Sequence, residues 1–366
     1  MPERTSSYIF AGGGTGGHIF PAIALAEALA ERQPDARFEW LVSDRTIDST
    51  ILSARDRAHT PIPAKPFVVS PMGLARFVGS WGASVRAARQ RLQDAKAHGP
   101  AVLVAMGGFV CPPAVQAARA ERVPVALVNL DAVPGRANRW VAKRAEHVIS
   151  ACPAFGWDVV GPIVRAEALP SGDAAACRAA LGLDPDVPTL FVSGGSQGAG
   201  SINDLIPAFA RRSAEALRGW QILHQAGAGR SEPVERSYRD AGGRATVVEF
   251  IDRVGDAWGA ADVAIARAGA GSVAEAWASR TPTVFFPYPH HADEHQRANA
   301  AALETAGGAL ILTDHADADR NLDAHAGTIA GLLADAGRRA AMRSALEGLG
   351  PSDGAARAAA VLADLA

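Results

Sequence analysis

The sequence has few cysteines and no long apolar run, and each lack argues against a class of protein. Only three of the 366 residues are cysteines, Cys111, Cys152 and Cys177. Three widely spaced thiols suit neither a disulfide framework nor a zinc site, and they are typical of a reducing compartment. No apolar run approaches the roughly 20 residues that a membrane-spanning helix needs. We therefore expect a chain without membrane spans whose cysteines are buried thiols.

The chain also lacks a large net charge and a recognisable export signal. Its formal net charge is −2, and residues 1–7 lead directly into a short apolar strand without a basic region and a long apolar segment. Export is therefore not expected. The near-neutral total hides an asymmetry, because residues 61–150 contain twelve Lys or Arg residues against four acids. This segment predicts a basic face in the first half, suited to an anionic surface or substrate.

Strand and helix patterns alternate along the chain. Helical patterns begin near Pro21 and over residues 84–97. Such alternation predicts parallel sheets covered by helices on both faces. The strand patterns are residues 8–11, 38–42, 101–105, 123–128, 147–150, 189–192, 221–224, 246–250, 262–266, 283–286 and 309–312.

A proline- and glycine-rich connection at residues 160–165 interrupts the pattern, and the second half then repeats the first. The length is sufficient for two domains with a core each. The sequence thus predicts an α/β protein with two Rossmann-like, doubly wound parallel-sheet domains facing one cleft. We expect domains at 1–162 and 163–340, and C-terminal helices at 341–366 that pack back on the first domain. This tail has a helical pattern over about 322–349 and a shorter one opened by Ser352-Asp353.

The first strand ends in a glycine-rich turn, Gly12-Gly13-Gly14-Thr15-Gly16-Gly17-His18. The turn departs from the dinucleotide fingerprint because no acid ends the second strand; Asp44 lies a little beyond it. A dehydrogenase is therefore disfavoured. A neutral imidazole beside a helix N-terminus has a lowered proton affinity, so His18 is a candidate general base. A histidine that merely caps the helix remains the alternative.

A second small-residue loop, Gly194-Gly195-Ser196-Gln197-Gly198, offers N–H groups and a hydroxyl to an anion and lacks the Gly-Lys-Ser/Thr of an ATP-hydrolysing loop. Residues 262–280 indicate a strand, a turn and a helix with Glu275 in its first turns. Helix N-termini suit phosphate, and a carboxylate just inside can accept hydrogen bonds from a ribose diol. These features predict a site for a nucleotide's diphosphate and ribose. An ordinary capping role for Glu275 stays open.

Residues 287–296 contain three histidines and two acids, which suggests metal ligands. Cysteine is absent from the segment and no second cluster exists, so a metal site is disfavoured. The alternative is a loop in which Asp293, His295 and Gln296 hydrogen-bond sugar hydroxyls.

In this order the motifs resemble the MurG family of glycosyltransferases, glycosyltransferase family 28, which completes the lipid-linked disaccharide precursor of peptidoglycan. Each motif is weak alone, but six in one order over nearly the entire chain are specific. The matching motifs are residues 13–18 with Pro21, Gly107-Gly108-Phe109 with Pro112-Pro113, residues 135–138, residues 194–199, Ala268-Gly269-Ala270 with Glu275, and His295-Gln296 with Asn299.

The resemblance implies the GT-B fold, with an acceptor- and membrane-facing first domain and a UDP-sugar-binding second domain. It implies N-acetylglucosamine transfer from UDP-N-acetylglucosamine to a polyprenyl-diphosphate-linked muramyl pentapeptide (lipid I to lipid II), with inversion at the anomeric carbon. The donor is a substrate, so no cofactor is expected; metal dependence and oligomeric state stay open. Peripheral binding at the cytoplasmic face of the inner membrane is expected, and no nucleic-acid partner.

The resemblance also implies a role for individual residues. His18 would act near the attacking hydroxyl as the catalytic residue. The implied donor-binding residues are Thr15, Gly16, Arg165, Ser196, Gln197, Gly198, Glu275, His295 and Gln296. The implied acceptor-side residues are Gly14, Gly17, Gly107, Gly108, Asp131 and Asn138.

One segment departs from the family. Where the family usually has His-Glu-Gln-Asn, this chain has Val128-Asn129-Leu130-Asp131, which places an acid where an amide is usual. The change bears on the acceptor and, to a lesser degree, on the donor sugar, but not on the reaction type. Two alternatives remain: a related transferase with another lipid or small-molecule acceptor, and a nucleotide-sugar-binding protein without turnover.

Residues 71–81 bring apolar side chains together within a basic stretch. Apolar side chains ringed by cations suit a surface that dips into the headgroups of anionic lipid. A buried segment of the first domain's core is the alternative. The apolar residues are Met72, Leu74, Phe77, Val78 and Trp81, and the cations are Lys65, Arg76, Arg86, Arg89 and Arg91.

Overall fold

The computed structural model describes residues 5–14, 16–195, 197–290 and 293–366, which form two compact units. The first unit extends to Arg165 and includes the final stretch Asp353–Ala366. The second unit is Ala166–Ser352. The chain therefore returns to the first unit at residue 353 rather than near 341.

All neighbouring strands that the structure describes pair in parallel. The first unit has the sheet order β3-β2-β1-β4-β5-β6-β7, and the second has the order β10-β9-β8-β11-β12-β13. The strands are β1 Ser7–Ala11, β2 Arg37–Ser43, β3 His59–Ile62, β4 Ala101–Ala105, β5 Val125–Asn129, β6 His147–Ser150, β7 Asp158–Val159, β8 Thr189–Ser193, β9 Gln221–Gln225, β10 Thr246–Val248, β11 Val263–Ala266, β12 Thr283–Phe285 and β13 Ala309–Ile311.

Helices alternate with these strands. The connections therefore follow the doubly wound pattern that the sequence predicts. The helices are α1 Gly16–Arg32, α2 Thr46–Ser53, α3 Pro71–Lys96, α4 Cys111–Glu121, α5 Arg136–Ala142, α6 Ala174–Ala180, α7 Gly200–Arg212, α8 Ser231–Asp240, α9 Val254–Ala260, α10 Ala270–Ser279, α11 His295–Ala306, α12 Ala318–Ala334, α13 Ala336–Glu347 and α14 Gly354–Ala363.

The first sheet carries a buried cluster on each face. One cluster contains Phe10 and Trp40 with the apolar side of α1, and α14 adds Leu362 to it. The other contains Leu103 and Ala88, which lie on β4 and α3. Strands buried on both faces have the near-continuous apolar sequences that are typical of parallel sheets.

Three predicted helix boundaries are wrong. Helix α1 begins at Gly16 instead of near Pro21, because the glycine turn continues directly into the helix. Helix α3 begins at Pro71 instead of residue 84, with Ser70 accepting a hydrogen bond from the Gly73 backbone. The helix expected over 322–349 is two helices, α12 and α13, since Asp335 adopts an extended conformation and caps α13.

Both sheets have a point where strand order reverses, between β1 and β4 in the first and between β8 and β11 in the second. In doubly wound sheets, ligands bind outside the carboxyl ends of the strands at this point. The two glycine-rich loops follow β1 and β8, and the turn before Glu275 follows β11. The candidate site residues therefore lie at the expected edge of each sheet.

Candidate active site

In the first unit, a buried carboxylate and a guanidinium hold the glycine loop. Asp48 Oδ2 accepts hydrogen bonds from the Gly14 backbone N–H (2.7 Å) and from Ser43 Oγ (2.5 Å). Arg45 Nη1 donates to the Gly14 carbonyl at 2.8 Å, and its guanidinium lies 5.6 Å from the centre of the Phe109 ring. Neither Arg45 nor Asp48 was predicted from the sequence, because each acts on Gly14, which is more than 30 positions away.

The glycine loop ends at His18, in the first turn of α1. The imidazole ring of His18 lies against the backbone of Gly107 and Gly108, which follow β4. A Cβ added to Gly107 would be 2.9 Å from His18 Nε2 and 3.1 Å from Asn138 Oδ1, and Gly107 has φ +117°. At Gly108, such an atom would be 3.6 Å from His18 Cε1. The structure thus brings together four of the predicted residues: His18, Gly107, Gly108 and Asn138.

The environment of His18 favours the neutral imidazole. Burial lowers the pKa of His18, while the negative charges of Asp131 and Asp48 and the Gly13 backbone oppose that shift without cancelling it. A neutral imidazole at physiological pH can accept a proton, as a general base must.

The segment that departs from the family lies beside this histidine. Asn138 Nδ2 donates to Asn129 Oδ1 at 3.0 Å, and Asn129 Nδ2 donates to the Asp131 carbonyl (2.7 Å) and to Ser150 Oγ (3.0 Å). These bonds join the carboxyl ends of β5 and β6 to α5. They hold Asp131 where its charge acts on His18.

Three further predicted residues lie in or near the first glycine turn. Gly14 has φ +95°, Gly17 is exposed, and a Cβ on Gly16 would be 2.8 Å from the Phe20 ring. The fourth, Thr15, lies outside the described residues. Arg165 belongs to the first unit, is buried, and places its guanidinium 4.0 Å from the centre of the Phe20 ring.

In the second unit, the glycine loop that follows β8 packs at Gly198 against the backbone just after β9. A Cβ added to Gly198 would be 2.0 Å from the Ala226 carbonyl oxygen, and Gly198 has φ +70°. Gln197 is exposed beside it, and Ser196 lies outside the described residues. The loop leads into α7. The backbone N–H groups in the first turn of that helix have no partner within the helix, so they can bind an anion.

Glu275 lies in the second turn of α10, beyond the capping positions, so the alternative of a simple capping role is wrong. Its Oε2 accepts a hydrogen bond of 3.0 Å from Nε1 of Trp258, which is fully buried. The indole therefore orients the carboxylate within the same unit. Sequence analysis missed Trp258, which is 17 positions away and looks like an ordinary core residue.

The first turn of α11 carries the predicted sugar-binding residues. Gln296 Oε1 accepts a hydrogen bond from the Tyr288 backbone N–H at 2.9 Å. His295 Nδ1 lies 2.8 Å from Asp293 Oδ1, and hydrogen bonding to His295 is the main cause that lowers the pKa of Asp293. Across the described residues, no three His, Cys, Asp or Glu side chains are grouped as a metal site would need; His291 is outside that set.

Arg267, just after β11, links that strand to the end of β12, to α7 and to the segment after β13. Its Nη1 donates to Asp314 Oδ2 (2.6 Å) and to the Phe286 carbonyl (2.9 Å), and its Nη2 donates to Ser201 Oγ (2.8 Å). Burial would raise the pKa of Asp314, but hydrogen bonds from Ser201, Asn321 and Arg267 outweigh burial and lower it. The ion pair fixes the ends of β11 and β12 relative to α7. Asp314 was not predicted, because it lies 47 positions from Arg267.

The N-terminal part of α3 exposes apolar side chains. Met72 is 65% exposed, Leu74 48% and Val78 63%, and Val69 just before the helix is 86% exposed. These four residues form what we call the apolar tip. The alternative of a buried core segment is wrong for them.

Two aromatic residues of the same segment are half-buried. The Phe77 ring lies 5.5 Å from Phe67 and 5.2 Å from Trp81, and Trp81 Nε1 donates to Gln116 Oε1 at 2.6 Å. Three of the five predicted cations pair with acids: Lys65 with Asp44, Arg89 with Glu121, and Arg91 with Asp94 and Glu39.

The chain matches two family models. The N-terminal domain of glycosyltransferase family 28 matches residues 8–150, and the C-terminal domain of the same family matches residues 189–347. Together they span both units.

Curated relatives match over nearly the whole length. The UDP-N-acetylglucosamine–N-acetylmuramyl-(pentapeptide) pyrophosphoryl-undecaprenol N-acetylglucosamine transferase of a Nocardioides species is 37% identical, over 98% of this chain and 97% of the relative. The transferase of the same name from Mycobacterium avium is 36% identical, over 100% and 90%.

A solved structure supports the same fold. The crystal structure of Acinetobacter baumannii MurG matches with a TM-score of 0.72 at 23% identity, covering 98% of this chain and 99% of that one. The prediction of a GT-B protein with two Rossmann-like domains is confirmed. The chain belongs to glycosyltransferase family 28 and, within it, to the MurG family of N-acetylglucosamine transferases.

Proposed function

We propose that this protein transfers N-acetylglucosamine from UDP-N-acetylglucosamine to undecaprenyl-diphosphate-linked N-acetylmuramyl pentapeptide. The reaction converts lipid I to lipid II in peptidoglycan synthesis. The observation that carries the proposal is the full-length match to transferases named for this reaction. The two sites at the carboxyl edges of the sheets supply the chemistry that such a transfer needs.

The transfer is a single displacement. The neutral imidazole of His18 accepts the proton of the attacking acceptor hydroxyl. That hydroxyl oxygen bonds to the anomeric carbon while the bond from this carbon to the diphosphate oxygen breaks. The sugar is thus inverted, and UDP leaves with the bonding electrons. Positioned general bases typically contribute about 10² to 10⁴ in rate.

The second unit holds the donor in this proposal. The start of α7, which follows the glycine loop, offers N–H groups to the diphosphate, where negative charge grows as UDP leaves. Glu275, oriented by Trp258, accepts hydrogen bonds from the ribose diol. His295 and Gln296 hydrogen-bond the donor sugar. The reaction requires no resident cofactor.

We further propose that the protein binds peripherally to the anionic cytoplasmic leaflet of the cell membrane through the apolar tip. In the part of the chain that the structure describes, no helix has the length and apolar character of a membrane span. Arg76 and Arg86 lie on the same helix as the tip and add attraction to anionic headgroups, worth about 1 kcal/mol per cation.

A second candidate is transfer to another lipid or small-molecule acceptor. It is favoured by Asp131, which stands beside His18 where the family usually has an amide. A carboxylate there changes the charge that the acceptor meets.

A substrate panel separates the two. Lipid-linked muramyl pentapeptide and simpler prenyl-linked acceptors are each offered UDP-N-acetylglucosamine, UDP-glucose and UDP-N-acetylgalactosamine, with and without EDTA. We expect the highest kcat/KM for the muramyl pentapeptide with UDP-N-acetylglucosamine. UDP binding without any transfer or hydrolysis would contradict the proposal and favour a binding protein.

A further inference from the structure

A chain of buried hydrogen bonds in the second unit ends at the Ala226 carbonyl, next to Gly198 of the glycine loop. His224 on β9 is fully buried, and its Nδ1 lies 2.8 Å from the Tyr238 hydroxyl. Its Nε2 lies 3.1 Å from Asn203 Oδ1. The Asn203 Nδ2 donates to the Ala226 carbonyl at 2.9 Å. Three side chains from β9, α8 and α7 thus meet in one line.

The hydrogen atoms in this line have one consistent arrangement. Because Asn203 uses its NH₂ group on the Ala226 carbonyl, its Oδ1 faces His224 as an acceptor. Nε2 of His224 therefore carries the hydrogen, and Nδ1 accepts from the Tyr238 hydroxyl. Burial lowers the pKa of His224 to about 3, so the ring stays neutral and the arrangement is the same at every physiological pH.

The line of hydrogen bonds ends at the backbone of Ala226 and Gly227, which packs against Gly198. A Cβ on Gly198 would be 2.0 Å from the Ala226 oxygen, and one on Gly227 would be 2.5 Å from the Gly198 nitrogen. The two backbone segments therefore pack so closely that no side chain fits between them. We expect a displacement of the Ala226 carbonyl to displace the turn at Gly198.

We propose that His224, together with Tyr238 and Asn203, is a positioning residue for the nucleotide-sugar donor. By holding the Ala226 carbonyl against Gly198, the three side chains set the position of the turn that leads into α7, and with it the N–H groups that the first turn of α7 presents to the diphosphate. The inference rests on the proposed function, since it takes the start of α7 as the diphosphate site. None of the three side chains touches the donor in this account.

Two substitutions at one position separate positioning from packing. His224→Leu removes both hydrogen bonds, whereas His224→Gln keeps an acceptor and a donor on a side chain of similar length. Met342→Ala is the matched control, because it removes a buried side chain on α13 from the same unit's core and breaks none of these hydrogen bonds. The measurements are the Kd of UDP by calorimetry, the KM of each substrate and the thermal midpoint.

We expect His224→Leu to raise the UDP Kd and the donor KM about tenfold, with the acceptor KM unchanged, and His224→Gln to recover most of the loss. Met342→Ala should lower the thermal midpoint without changing the UDP Kd. The inference is overturned if His224→Leu binds UDP as wild type does, or no worse than Met342→Ala at equal loss of stability. It is also overturned if His224→Gln is as impaired as His224→Leu.

A milder variant covers the case in which His224→Leu does not fold. Tyr238→Phe removes one hydroxyl, keeps the ring, and should raise the UDP Kd about threefold; an unchanged Kd would overturn the inference. Wild-type protein that binds no UDP would contradict the proposed function itself, and this inference with it. Wild-type binding with unimpaired His224 and Tyr238 variants would contradict only the inference.

Discussion

The backbone of Gly107 and the imidazole of His18 are in direct contact: a Cβ at position 107 would lie 2.9 Å from Nε2. Gly107 also has φ +117°, a conformation that other residues rarely adopt. The position of the candidate base thus depends on a residue nearly 90 positions away that has no side chain.

Gly107→Ala should impair catalysis through His18. The added methyl group pushes the ring away, and a displacement of about 1 Å can reduce the rate about 10²-fold. The strained backbone should also cost about 1 to 3 kcal/mol of stability. Steady-state kinetics and thermal unfolding test both effects. Gly331→Ala is the control, because Gly331 lies inside α12 with nothing within 4 Å of an added Cβ; equal kcat values in the two variants would contradict the account.

Asp131→Asn should move the acid limb of the pH–rate profile to lower pH. Burial lowers the pKa of His18, and the Asp131 charge opposes that shift. Removing the charge lowers the pKa further, so His18 stays unprotonated down to a lower pH. The acid limb of kcat against pH, at saturating substrates, reports this pKa. An acid limb that stays in place or moves to higher pH would show that Asp131 does not act on the base.

Glu275→Ala should weaken UDP binding about tenfold to a hundredfold, as expected for a hydrogen bond to a charged acceptor. It should also cost about 1 to 3 kcal/mol of stability, because the buried Trp258 N–H loses its acceptor. Glu275→Gln keeps an oxygen for Trp258, so it should retain more stability while still losing affinity. Calorimetry that finds wild-type UDP affinity in both variants would remove Glu275 from the site.

Replacing the apolar tip should weaken binding to anionic vesicles. The surface predicted from the sequence also includes Phe77 and Trp81, but both are half-buried, so Val69→Ser with Met72→Ser and Val78→Ser is the cleaner change. We expect at least about tenfold weaker sedimentation with phosphatidylglycerol vesicles, from lost apolar burial. Wild-type binding should weaken with salt, and UDP binding should survive in the triple variant.

Ile47→Ser is the control for the vesicle experiment, since Ile47 is an exposed apolar residue of α2 outside the apolar tip. It should bind vesicles as wild type does. Equal sedimentation of the wild type and the triple variant at low salt would contradict membrane docking through this surface.

Most of the strands could be predicted from the sequence because parallel strands buried on both faces are continuous apolar runs. Strand β3 was missed because it is a short edge strand interrupted by Pro61. The first half of α3 was missed because glycines and exposed apolar residues remove the usual amphipathic period. The break at Asp335 was missed because alanine-rich sequence continues across it; only the capping hydrogen bond reveals the second helix.

In the site, glycine loops are visible in sequence because their backbone conformations require glycine. The residues that hold those loops are not. Asp48 supports Gly14 and Asp314 pairs with Arg267 only because the folded sheet places them together. A carboxylate that accepts backbone N–H groups has the same sequence appearance as a solvated one.

The most direct measurement is the anomeric configuration of the product. Wild-type protein is incubated with UDP-N-acetylglucosamine, whose sugar is α-linked, and a short-chain lipid-linked muramyl pentapeptide, and the disaccharide is examined by NMR. The account predicts a β-linked product, one UDP released per disaccharide, and a rate lowered about 10² to 10⁴-fold in His18→Ala. An α-linked product, or UDP release without disaccharide, would contradict a direct displacement assisted by His18.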